Sequence, residues 1–149
     1  MDLDDVIDAI AAGATSSAAS ISAAFKDVAV GYPNPRGRCV RIFYGGEAPP
    51  AYFGEGMTLS TRMIGQRIIA RGFWPVAEYA AKRSRALMLE MWQFVHNFRT
   101  AMLADTRLSA KAVDLDMHLA EVDQDVVAGV LYATVDIEFI VDFNEYTVA

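Results

Sequence analysis

Asp114, Asp116 and His118 stand at alternate positions of DLDMH. In an extended chain that spacing turns all three side chains to one face. Two carboxylates and an imidazole on one face are a donor set for a divalent cation, but the surrounding residues argue against it. An EF-hand loop beginning at Asp114 needs glycine at position 119 and glutamate at position 125, where the chain has Leu119 and Asp125. The trio is read as the solvated face of a polar strand, and no metal is assigned.

Nucleophilic catalysis fares no better. His96 and His118 are the two histidines, and either would need Cys39 or a serine beside it, yet no GxSxG motif is present. The glycine-rich stretch GGEAPPAYFGEG (residues 45–56) lacks both the lysine-serine or lysine-threonine end of a P-loop and the GxGxxG of a dinucleotide turn. Pro49 and Pro50 also remove backbone donors that a phosphate cradle would use. No catalytic residue and no cofactor is assigned.

Three arginines offer a different chemistry. Arg62, Arg67 and Arg71 fall on one predicted strand; Arg67 and Arg71 share parity, and Arg62 joins them only if the strand is bulged at Gly65. They can pair with Asp136, Glu138 and Asp142 of the last strand, within a subunit or between subunits, or touch a DNA backbone. Backbone binding calls for a basic total and interleaved aromatics, whereas the net charge is −6, so salt bridging is the reading adopted. Tyr52 and Phe53 sit in the glycine- and proline-rich loop, tucked onto the domain or presented to a neighbour. The candidate interface is therefore Tyr52, Phe53, Arg62, Arg67, Arg71, Asp136, Glu138 and Asp142. Trp74 and Trp92 read as core or interface anchors.

Charge is unevenly distributed along the chain. Residues 1–35 hold one lysine against five acids, residues 36–111 hold twelve bases against five acids, and residues 112–149 hold nine acids and no base. Either acidic and basic elements neutralise each other inside one protomer, or the subunit has oppositely charged faces suited to head-to-tail association. A hydrophobic content of 54% also points to surface hidden between subunits. The lone Cys39 forms no internal disulfide, the acidic start MDLDD is unlike a secretory signal, and no apolar run approaches the roughly 18 residues that span a bilayer. Synthesis in the cytoplasm and no membrane contact are expected.

The elements that must position these residues centre on residues 131–143, LYATVDIEFIVDF. Every odd position is apolar and the even positions are mostly polar, which predicts a long strand with seven apolar groups on one face. Before it, Asp2 or Asp4 caps a helical stretch running to Phe25, one helix softened in its middle by Gly13 and the serines or two short ones, and GYPNPRG (residues 31–37) is a turn. Residues 38–44 form a short strand, 45–56 a long loop, and 57–73 a second strand. Pro75 opens a second helix to Ala104 that lies across the apolar face. Residues 113–122 make a third strand, and Asp123, Gln124 and Asp125 a turn. The class expected is α+β, with a mostly antiparallel sheet of about four strands and two main helices on one face, all in a single domain.

This layout, from N-terminal helix to the closing ribbon GVLYATVDIEFIVDF, resembles the tail terminator proteins of long-tailed, non-contractile bacteriophages. The resemblance implies a small subunit without an active site that forms a ring, commonly a hexamer, on the head-proximal end of the tail tube. There it would stop tube polymerisation and give the filled head its docking surface. Its partners would be copies of itself, the tail tube protein and a neck or head completion protein, with genomic DNA passing through unread. It would be made in the host cytoplasm and end in the virion. A neck protein of the same virion, and an unrelated small-molecule-binding or enzymatic α+β domain, are the competing expectations.

Overall fold

The computed structural model describes residues 3–19, 27–48, 63–79, 84–104 and 114–144. Among these residues the order is α1 (Leu3–Ala19), β1 (Asp27–Val30), β2 (Cys39–Ala48), β3 (Met63–Pro75), a 3-10 turn (Val76–Glu78), α2 (Ser84–Leu103), β4 (Asp114–Val127) and β5 (Val130–Asn144). The strands form one sheet in the order β1-β2-β3-β5-β4. The α+β class is as expected. The sheet, however, has five strands among the described residues instead of about four, and it is mixed, because β1 lies parallel to β2.

Four residues hold too few alternations to announce β1 in the sequence. Its shortness also makes the parallel pairing possible. A strand of four residues is about 13 Å long, and the eight residues 31–38 can span roughly 26 Å. The chain can therefore return to the start of β1 without a helical crossover. Arg41 ties this return together: its buried guanidinium donates to the Asp27 carboxylate at 2.8 Å and to the carbonyls of Asp27 and Asn34 at 3.3 Å.

The odd residues of β5 from Ala133 to Val141 are buried against both helices, as their alternation predicts. Helix α1 contributes Val6, Ile10 and Ala14; α2 contributes Met91, Phe94, Phe98 and Met102. Edge-to-face contacts link Trp74 to Phe94 (5.8 Å) and Phe94 to Phe98 (5.5 Å), and Phe98 then meets Phe139 at 5.1 Å, so β3, α2 and β5 share one aromatic chain. Each such side chain contributes about 1.5–3 kcal/mol on burial.

The ends of the predicted ribbon depart from the pattern. Leu131 is 41% exposed, and the side chain of Phe143 lies outside the described residues. At even positions Tyr132, Thr134 and Asp142 are buried, not solvated. Residues 31–38 account for Tyr132, which meets Phe73 edge to face at 5.6 Å beside Cys39 and donates its hydroxyl hydrogen to the Pro35 carbonyl.

Several boundaries move for backbone reasons. β2 continues through Gly45 and Gly46 to Ala48, where a loop was expected, since pairing with β3 holds the backbone whatever the side chains are. Register runs unbroken through Gly65; the bulges lie at Tyr44–Gly46 and Met117–Leu119. Pro75 ends β3 opposite Tyr132 and caps only the 3-10 turn Val76–Glu78, and α2 is described from Ser84. Asp123, Gln124 and Asp125 are strand residues, and the reversal comes at Ala128 and Gly129, whose positive φ values of 51° and 78° fit a type I′ turn. Asp4 lies inside the first turn of α1, where its charge favours the helix dipole, and Asp2 lies outside the described residues. Residues 49–62, Ile21 and Phe25 lie outside the described residues.

Candidate functional site

Two surfaces could serve function, one on each side of the sheet. On the side away from the helices, parity places Arg67 and Arg71 of β3 beside Asp136 and Glu138 of β5. Arg71 faces Asp136 in register and binds it through two parallel hydrogen bonds, Nε to Oδ1 at 2.5 Å and Nη2 to Oδ2 at 2.8 Å. Arg67 reaches diagonally to Glu138 at 2.7 Å. The Asp136 carboxylate raises the Arg71 pKa by accepting these bonds, and the guanidinium also lies over the Phe43 ring at 5.3 Å. One row across the sheet thus runs Arg41, Arg71, Asp136, Glu121, two bases followed by two acids. Of the predicted interface residues, four are joined here as intramolecular pairs. Asp142 is fully buried on β5. Tyr52, Phe53 and Arg62 lie outside the described residues.

On the helix side, α2 turns a second stripe outward. Arg85, Met88, Leu89, Trp92, His96, Arg99 and Leu103 recur at spacings of three and four and are exposed, with Trp92 at 61%. The Trp92 and His96 rings stack at 5.1 Å with 4° between planes. Beside this stripe an apolar groove of about 390 Å³ opens between α2 and β4, lined by Met88, Met91, Trp92, Val95, Ala120 and Val122. Composition hinted at hidden surface, but not where it lay. The usable signal was Met88, Leu89 and Trp92, apolar residues off the buried stripe of their helix.

The groove leads onto a projecting hairpin. β3 ends opposite Tyr132, so the strands beyond it, residues 126–131, pair only with each other among the described residues. Val122, Val126 and Leu131 have the parity of the core face and are 67%, 63% and 41% exposed. Among the described residues β4, fourteen residues long, is also an edge of the sheet. Its opposite face carries Asp116, Glu121, Asp123 and Asp125, all exposed.

Other clusters are explained by structure. His96 borders a cleft of about 360 Å³ with Ser16, Ser17, Asn97 and Thr100, where Ser16 and Ser17 donate to the Gly13 carbonyl and Thr100 to that of His96. Those hydroxyl hydrogens serve the helices. Arg38 joins Glu78 at 3.0 Å and Glu90 at 3.5 Å, and lies 4.9 Å over the Tyr79 ring. The Tyr79 hydroxyl donates to Glu90, and burial together with that carboxylate raises its pKa. Burial likewise pushes the Cys39 thiol up. His118 lies at the β4 bulge, where the register with β5 shifts between Met117 and Leu119. No group of three metal-ligating side chains occurs among the described residues, and no helix among them is long and apolar enough to cross a membrane.

No protein-family model and no curated protein matches this chain.

Proposed function

We propose that this chain is a structural, non-catalytic subunit that assembles as a ring at the head-proximal end of a bacteriophage tail tube, ending tube polymerisation and giving the head its docking surface. The observation that carries the reading is the apolar surface running from Met88 and Trp92 of α2 through Val122 to Val126 and Leu131 of the hairpin. Exposed apolar surface of this kind marks a protein–protein contact. The tail terminator assignment itself rests on the resemblance in element order and in the closing ribbon, together with the exposed acids Asp116, Glu121, Asp123 and Asp125 on β4. A small-molecule site at the His96 cleft is less favoured, since its hydroxyls are engaged by their own helices.

Negative-stain electron microscopy of lysates from a phage lacking this gene tests the reading. Overlong tail tubes without heads are the expected outcome. Filled heads beside free tails of normal length would move the protein to the neck, and normal infectious particles would remove the virion-assembly reading.

A further inference from the structure

We infer that the β4–β5 hairpin of one copy seats in the α2–β4 groove of a second copy, so that the chain associates head to tail through two different surfaces. The inference rests on the ring reading only for closure of the assembly; the contact itself is the same in an open chain.

Charge selects the occupant. The exposed stripe of α2 holds Arg85 and Arg99 and no acid, while residues 121–131 hold Glu121, Asp123 and Asp125 and no base. Val126 and Leu131 face the helix side of the sheet and make the contact, while Val127, Val130 and the acids of β4 lie on the other face, from which the acids steer the approach at Debye range. An arm and a groove are different surfaces, and a contact between different surfaces repeats from copy to copy until it closes as a ring or extends as a filament.

The hairpin also has need of a seat. Among the described residues the strands of 126–131 pair only with each other, an arrangement marginal in water, and they expose Val126 and Leu131 on the helix-side face. Trp92, stacked on His96, supplies the kind of aromatic anchor that interface cores favour.

Two measurements on the full chain test this. In the first, Val126→Cys and Met88→Cys proteins are mixed and oxidised; native Cys39 is buried and does not compete. Disulfide-linked dimers are expected from the mixture and not from either variant alone. In the second, sedimentation should give the wild type a multiple of 16.3 kDa. Trp92→Glu, an exposed change that leaves the thermal melt in place, should weaken association roughly thirtyfold. A monomeric wild type, unaltered association of Trp92→Glu, or cross-linking of Val126→Cys to itself would overturn the contact. Tail tubes that terminate normally without the 126–88 cross-link would sink the contact and spare the proposed function. The cross-link in a protein whose loss leaves particles normal would do the reverse.

Discussion

Arg71 and Asp136 occupy one register position on neighbouring strands and meet through two parallel hydrogen bonds at 2.5 and 2.8 Å. On its other side Arg71 is in register with Arg41, whose own charge is met by Asp27. Each guanidinium therefore has its own carboxylate, and the two like charges coexist in adjacent strands.

Asp136→Asn should leave the protein folded and lower its stability by about 1 kcal/mol, the scale of a half-exposed bidentate pair. A double-mutant cycle with Arg71→Gln, read from urea midpoints, should return a coupling of similar size. Additive single effects would mean that the pair adds nothing to stability.

Ile137 is fully buried at the centre of β5, opposite Ala70 and Ala120. Ile137→Asp should abolish folding, because an unpaired buried carboxylate costs on the scale of a domain's whole stability, about 5–15 kcal/mol. Ile137→Val should cost only about 1 kcal/mol. A soluble Ile137→Asp protein with a native circular dichroism spectrum would refute the assigned face.

Gly72 and Gly13 both leave room for a neighbour, yet replacing them should differ in outcome. A Cβ at Gly72 would lie 2.6 and 2.7 Å from the Trp74 ring, itself packed on Phe94. Gly72→Ala should cost about 1–3 kcal/mol. At Gly13 the nearest atom is the Met102 sulfur, the end of a flexible chain that can swing aside. Gly13→Ala should fall between neutral and about 1 kcal/mol stabilising, since alanine favours the helix. Equal losses in thermal melts of the two variants would contradict this packing.

Tyr79 holds its proton more tightly folded than unfolded, its pKa lying above the ordinary 10.0. Its contribution is complete below pH 10 and declines as pH rises further, because the unfolded phenol ionises first. The wild type should lose stability above pH 10 more steeply than Tyr79→Phe, measured by urea unfolding at a series of alkaline pH values. Parallel curves would show that the hydroxyl is not held by Glu90.

Local pattern determined the α+β class, the buried face of β5 from Ala133 to Val141, and the shared parity of Arg67 and Arg71, because each depends only on a repeat of two or 3.6 along one segment. Tertiary structure decided the rest. Gly45 to Ala48 became strand because β3 offered a partner, and β1 formed beside β2 although four residues carry no period. Asp123 to Asp125 stayed extended because β5 pairs with them, and the reversal falls later, at Ala128 and Gly129. The groove beside Trp92 depends on how far α2 reaches along the sheet, a distance set by packing between segments remote in sequence.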